Sequence, residues 1–96
     1  MSLKNTSACF GYQQITSLAA ATNLTVPSVP LDGVATYAII QAEAQAVRWR
    51  DDGVDPTATV GMVIPAGGEL RYDGDLKAIR FIESAASAKL NISYYS

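Results

Sequence analysis

The chain has 96 residues, of which 49% are hydrophobic and 17% are charged, and its net charge is −2. This length suits one domain, and the lack of a basic surplus argues against nucleic acid as a partner. The sequence has no histidine and one cysteine, which excludes an internal disulfide and a zinc or iron–sulfur centre, and removes the commonest general base.

The N-terminal sequence MSLKNTSACFGYQQ contains no continuous apolar segment of the kind found in a signal peptide. No other stretch reaches the roughly 18 apolar residues that a membrane-spanning helix needs, so we expect a protein made in the cytoplasm, without a membrane partner. Residues 1–9 are predicted to form a mobile arm. Cys9 lies between Ala8 and Phe10 and is expected to be a small buried hydrophobe.

Turn-forming sequences separate short segments that are apolar or alternate between polar and apolar residues. This pattern is typical of all-β folds and predicts one domain over residues 1–96, an antiparallel β-sandwich or barrel of about eight short strands. Residues 17–22 are rich in alanine but few, and are predicted to form a loop or one helical turn. The predicted strands are residues 10–17, 23–26, 36–42, 46–50, 61–64, 69–72, 77–83 and 89–95.

The alternation also predicts which side chains face the core. Residues 37–42 are apolar on both faces apart from Gln41, which indicates a central strand covered on both sides. In residues 47–50 the two arginines, Arg48 and Arg50, are expected to face outward. The inward side chains are predicted to be Val47, Trp49, Leu70, Tyr72, Ile79, Phe81, Leu90, Ile92 and Tyr94.

The sequence VRWRDDGVDPTATVG, residues 47–61, places Asp51, Asp52 and Asp55 around Gly53. The spacing departs from the calcium-loop pattern and lacks the glutamate that would complete it, so we predict no metal ion, with a bound cation as the alternative. Aspartate, glycine and proline in this order favour a shaped turn instead, with Gly53 at positive φ and Pro56 ending strand pairing.

No other motif predicts catalysis. The sequence PAGG, residues 65–68, lacks the Lys-Ser/Thr that follows the glycines of a phosphate loop. Nothing in the sequence pairs two carboxylates across a cleft, and a serine nucleophile would have no histidine base. We therefore predict a protein that is not an enzyme, with no catalytic residues and no cofactor.

Arg48 and Arg50 are like charges on one strand face and require neutralisation. Cross-strand pairs with Glu43, Glu69 or Asp73 are the first expectation. The alternative is an interface with another protein, since arginine and tryptophan are frequent at the energetic centres of interfaces. The predicted interface residues are Arg48, Arg50, Asp51, Asp52, Asp55 and Thr57.

Residues 35–95 resemble the pattern of small virion proteins of tailed bacteriophages. The similarity lies in an arginine-containing strand with an Asp-Gly-x-x-Pro-Thr loop, a Pro-Ala-Gly turn, a strand ending in Phe-Ile-Glu, and a C-terminal Leu-Asn-x-x-Tyr-Tyr strand. The resemblance implies a β-sandwich accessory protein of the capsid or tail with no enzymatic activity. Residues 1–34 carry no part of it.

From this resemblance and the charge-poor sequence we expect a capsid decoration or cement protein, located in the virion. Its expected partners are major capsid or tail proteins and copies of itself, as a homo-oligomer, with a trimer natural on a threefold lattice position. The alternative is a tail or fibre module that binds a receptor or carbohydrate. That alternative requires exposed aromatic rings, for which Tyr12 and Tyr95 are the candidates.

Overall fold

Two four-stranded antiparallel sheets form the protein in a computed structural model that describes residues 9–29 and 33–96. Within these residues every regular element is a strand, which confirms the predicted all-β class and the antiparallel sandwich. The strands are β1 (Cys9–Ile15), β2 (Thr22–Asn23), β3 (Ser28–Val29), β4 (Gly33–Val34), β5 (Tyr37–Glu43), β6 (Val47–Arg50), β7 (Met62–Ile64), β8 (Glu69–Tyr72), β9 (Arg80–Glu83) and β10 (Lys89–Tyr95).

The first sheet, sheet A, has the strand order β1-β10-β5-β8, and the second, sheet B, has the order β2-β9-β6-β7. Strands β3 and β4 form a separate antiparallel pair. In sheet A, β10 pairs with β5 along its whole length, from Lys89 opposite Glu43 to Tyr95 opposite Tyr37. Each sheet thus has two inner strands and two edge strands.

Strand β5 is an inner strand of sheet A, as the apolar sequence predicts. Its Ala38, Ile40 and Ala42 are buried, whereas Gln41 on the other face is exposed. The prediction that both faces are covered is therefore wrong. A two-layer sandwich has nothing to place on the outer face of a sheet, so apolar residues there remain only partly covered.

The core is one apolar layer between the two sheets, and the predicted inward side chains lie in it. Val47, Ile79, Phe81, Leu90 and Ile92 have no exposed area, while Trp49 and Leu70 pack against the core from its margin. Within the described part of the chain, no buried side-chain nitrogen or oxygen lacks a hydrogen-bond partner. The alternation of inward and outward residues therefore gave the correct inner face for β6, β8, β9 and β10.

Tyr94 brings one polar atom into this layer. Its hydroxyl donates to Gln13 Oε1 at 2.6 Å, which joins β10 to its neighbour β1. Burial of the ring raises the pKa of Tyr94 to about 12, since the charged phenolate would be poorly solvated there.

The loop predicted for the alanine-rich residues 17–22 is confirmed for residues 17–21, while Thr22 already belongs to β2. The loop is held by the buried Leu18, whose carbonyl oxygen accepts from Glu83 N–H at 2.9 Å. Two strands are shorter than predicted. Pairing in residues 23–26 stops after Asn23. The strand predicted for 77–83 begins only at Arg80, because residues 75–79 turn, with the N–H groups of Ala78 and Ile79 both donating to the Asp75 carbonyl.

Cys9 is exposed, so the prediction that it is a buried hydrophobe is wrong. It is the first residue of β1, which is an edge strand, and it therefore has strand pairing on one side only. The predicted N-terminal arm, residues 1–9, lies outside the described residues except for Cys9. No helix in residues 9–29 and 33–96 is long and apolar enough to cross a membrane.

The core assignment predicts a difference between two neighbouring residues of β9. Phe81→Ala should lower the free energy of unfolding by about 3–5 kcal/mol, because it removes a fully buried ring. Ile82→Ala, on the outer face, should lower it by less than about 1.5 kcal/mol. Chemical denaturation measures both values, and equal losses would contradict the assigned faces of β9.

Candidate functional site

Residues 51–61, here called the 51–61 loop, connect β6 to β7 and have a defined shape. Near its end, Thr57 and Val60 form an isolated antiparallel bridge, with N–H to carbonyl distances of 2.9 and 3.2 Å. The Thr57 hydroxyl oxygen also accepts from the Val60 N–H at 3.0 Å. The loop thus contains its own small turn instead of hanging free from the sheet.

Arg48 attaches this turn to the sheet. Its guanidinium donates from Nε to the Ala58 carbonyl at 3.1 Å and from Nη1 to the Gly61 carbonyl at 2.9 Å. A planar guanidinium with several fixed donors suits two carbonyls that belong to different residues of a turn. The side chain acts as a clamp between β6 and the end of the 51–61 loop.

Two further arginines hold the first part of the loop. Arg50 forms two hydrogen bonds with the Asp52 carboxylate, at 3.0 and 2.5 Å, and Arg80 of the adjacent β9 forms an ion pair with Asp55 at 2.7 Å. The hydrogen bond from Arg50 holds the pKa of Asp52 below its usual range. Because both pairs are partly exposed, their main effect is on the shape of the loop.

The expected cross-strand partners of the arginines are therefore wrong. Glu43 instead accepts from Asn91 Nδ2 at 2.9 Å, and Glu69 pairs with Arg71 at 2.9 Å. Both glutamates belong to sheet A, whereas Arg48 and Arg50 lie on the outer face of sheet B. The loop supplies nearer acceptors on that same face.

Asp51 connects the beginning of the loop to sheet A. Its Oδ2 accepts from the Tyr72 hydroxyl at 2.6 Å, and the Tyr72 ring meets the Trp49 ring edge-on with centroids 5.9 Å apart. Burial and the neighbouring Asp51 carboxylate both raise the pKa of Tyr72, since each disfavours a phenolate. This contact joins β8 to β6 at the side of the sandwich where β7 is the edge.

Two glycines fit the backbone of the loop. Gly53 has φ +85°, as its place in the turn predicts. At Gly61, φ is +141° and a Cβ atom would come within 3.1 to 3.3 Å of Trp49, Arg48 and Pro56. Position 61 therefore requires a residue without a side chain, because the loop end packs directly on β6 and on the buried Pro56.

The three aspartates of the loop do not converge. Asp51 accepts from Tyr72, Asp52 from Arg50 and Asp55 from Arg80, so each carboxylate points to a different partner. Across residues 9–29 and 33–96, no group of three or more His, Cys, Asp or Glu side chains is placed to hold a metal ion. The alternative of a cation in this loop gains no support from the geometry.

All six predicted interface residues lie in or beside the 51–61 loop, and the structure brings them together there. Their polar groups bind other parts of the same chain, as described above, which makes them the framework of the loop. Asp51, Asp52, Asp55 and Thr57 are nevertheless exposed and Arg48 and Arg50 half-buried. Their participation in an interface stays a prediction.

Apolar residues that sequence reasoning did not select lie next to this framework. Val60, Met62 and Val63, here called the apolar edge, have exposed fractions of 50%, 61% and 50%. Met62 and Val63 belong to β7, the terminal strand of sheet B. Among the described residues, they make up half of the six large hydrophobic residues that are exposed.

An open groove of about 440 Å³ runs along the apolar edge. Its lining combines apolar side chains with the Arg50–Asp52 ion pair and Asp51. The residues that line the groove are Trp49, Arg50, Asp51, Asp52, Val60, Gly61 and Met62.

A signal for the apolar edge is present in the sequence VGMVI, residues 60–64. A strand with one buried face should alternate, yet Met62 and Val63 are adjacent and both apolar. One of the two had to face outward unless a second layer covered the strand.

Compared with known proteins, the chain matches no protein-family model, and no curated protein or solved structure is significantly similar to it.

The buried tyrosines predict a loss of stability at alkaline pH. In the unfolded chain both Tyr72 and Tyr94 titrate near pH 10, whereas in the folded chain both pKa values are raised. The unfolded chain therefore loses these protons first, so the stabilisation is full below about pH 10 and declines as pH rises above it. Denaturant unfolding at increasing pH should show this decline, and Tyr72→Phe should make it shallower. Parallel profiles of the two proteins would contradict the assignment.

The clamp formed by Arg48 predicts a further effect. Arg48→Met keeps an unbranched apolar stem but removes both donors, so the free energy of unfolding should fall by about 1–3 kcal/mol. Hydrogen exchange at the Val60 amide should accelerate at the same time. Arg71→Met is the matched control, since that exposed pair should contribute less than about 1 kcal/mol. Equal behaviour of the two variants would show that Arg48 does not hold the loop.

Proposed function

We propose that this protein is a non-enzymatic structural component of a tailed-phage virion that decorates and stabilises the capsid. It binds major capsid or tail proteins and copies of itself, and it assembles as an oligomer on the particle. The observation that carries the proposal is the apolar edge beside a shaped loop. The resemblance of residues 35–95 to small virion proteins supplies the class of particle.

The apolar edge supports a role in protein contacts. A strand at the end of a sheet leaves backbone N–H and C=O groups unpaired, and soluble proteins usually protect such edges with charge, proline or a bulge. On β7 the exposed side chains are Met62 and Val63, and neither carries a charge. An exposed apolar strip rimmed by polar groups is typical of interaction surfaces.

The polar groups around the groove support binding and not catalysis. Asp51, Asp52 and Asp55 each accept a hydrogen bond from a fixed partner, and the chain has no histidine to act as a base. Arg50 and Arg80 are neutralised by Asp52 and Asp55, and the net charge of the chain is −2, so the site has no surplus of positive charge for a phosphate backbone. In the proposal, Arg48, Arg50 and Thr57 keep the loop in the shape that a partner recognises.

One observation supports a second candidate function, that of a tail or fibre module that binds carbohydrate. Tyr12 on the edge strand β1 is 64% exposed, and its hydroxyl donates to Asn91 Oδ1 at 2.5 Å, beside Gln14. An exposed ring next to amide groups is a chemical surface that sugars bind. The other candidate ring, Tyr95, is half-buried and packs against Tyr37 with centroids 5.7 Å apart, so Tyr12 is the one exposed aromatic ring among the described residues.

The virion proposal is tested by purifying particles of the phage or prophage that carries the gene. We expect the protein in many copies on the particles, and we expect Met62→Lys to lower its occupancy at least about tenfold, because a charge would have to be buried in the contact. Val34→Lys, which places the same charge at an exposed valine elsewhere, is the control and should leave occupancy unchanged.

Three results would contradict the proposal: absence of the protein from purified particles, a gene that lies outside any phage or prophage, or equal occupancy of the two lysine variants. Binding to a glycan array that is lost in Tyr12→Ser and kept in Met62→Lys would favour the carbohydrate-binding alternative instead.

A further inference from the structure

We infer that β7 pairs with β7 of a second copy of this chain, in antiparallel orientation and with Val63 opposite Val63 of the other copy. The two four-stranded sheets would then form one continuous sheet across a twofold axis. This inference rests on the proposed role in assembly, and it names the chemistry of one contact that this role requires.

The four edges of the sandwich differ in how they are protected. The β8 edge carries Glu69 and Arg71, an exposed ion pair at 2.9 Å. The β1 edge is partly covered by the segment that follows β2, where the Thr25 N–H donates to Gln13 Oε1 at 3.2 Å. The β2 edge is only two residues long. Charge, cover and shortness each disfavour pairing with another chain.

Of these protections strand β7 has only shortness, since it is three residues long and carries no charged side chain. On one side β7 pairs with β6, and Val63 lies opposite Arg48. Within the described residues, the backbone of residues 62–64 makes no further hydrogen bond outside the sheets. Alternate residues of an antiparallel strand direct their N–H and C=O groups away from the existing partner. Those groups are available to a further strand.

A second copy of the chain fits this edge because the edge is neutral and matches itself. Arg50 is paired with Asp52 and Arg80 with Asp55, whereas Arg48 binds carbonyl oxygens and Asp51 binds the Tyr72 hydroxyl. These last two residues carry one charge of each sign, so the charges around the edge sum to zero within each copy. A twofold axis would bring Val63 against Val63 and place Met62 of each copy opposite Ile64 of the other. A strongly acidic or basic partner would find no net opposite charge here.

The size of the contact sets its strength. A stable dimer usually buries about 800 Å² on each partner. The three residues of β7 together with Val60 do not provide this area. We therefore expect weak pairing in solution, with Kd of roughly 0.1–1 mM. On a particle, neighbouring copies are held at high effective concentration, and a contact of this strength then becomes populated.

The test uses disulfide trapping in a Cys9→Ser background, which removes the exposed native thiol. Directly opposed residues of antiparallel strands have Cα atoms about 4.5–5.5 Å apart, within the range that a disulfide spans. Val63→Cys should therefore form a covalent dimer about tenfold faster than Val34→Cys, a matched exposed valine on β4, when both are oxidised at concentrations near the expected Kd.

Sedimentation of the unmodified protein over a range of concentrations provides a second measurement, in which Val63→Lys should suppress dimer formation and Val34→Lys should not. Equal cross-linking of the two cysteine variants, or a wild-type protein that stays monomeric throughout, would overturn the inference. Particle binding distinguishes this failure from failure of the proposed function. If the two cysteine variants cross-link equally while purified particles still carry wild-type protein, the inference fails and the proposed function stands.

Discussion

The structure depends on a single apolar layer between two four-stranded sheets. Ile40 and Ile92 from sheet A and Phe81 from sheet B have no exposed area, and no second apolar layer covers the other face of either sheet within the described residues. A chain of this length has enough apolar side chains for one such layer and not for two. The margins of this layer are consequently thin. At the margin next to β7, apolar packing gives way to the Trp49 ring and to the hydrogen bond between the Tyr72 hydroxyl and Asp51.

The alternation of side chains was sufficient to predict the fold class, the inner strand β5 and the inward residues of β6, β8, β9 and β10, because that periodicity records which face is dry. It could not predict Cys9, since an apolar residue reads the same at an edge as in the centre of a sheet. The alternation also could not predict the hydrogen-bond acceptors of Arg48. They are the carbonyl oxygens of Ala58 and Gly61, and such acceptors become available only once the loop has folded back.

In the candidate site, too, local features could be predicted from the sequence and long-range contacts could not. Aspartate, glycine and proline correctly indicated a turn at Gly53, because their local hydrogen bonding and φ preferences act within a few residues. The predicted interface residues were selected mainly for their charge, and in the structure their charged groups form the hydrogen bonds and ion pairs that hold the loop. The exposed Met62 and Val63 could have been recognised from the missing alternation in residues 60–64, although only the strand order identifies β7 as an edge.

An unprotected edge in a soluble protein has to be weak enough to keep the free chain apart from its copies. Strand β7 meets this condition through its length of three residues and through Pro65, which follows it and has no N–H to extend the ladder. Strand β2 is also protected by its shortness, and in addition its exposed residue Asn23 is polar. On β7 the outward residues are apolar, so shortness limits the affinity without removing it. Such an edge suits a protein whose copies meet on an ordered surface and stay separate before they reach it.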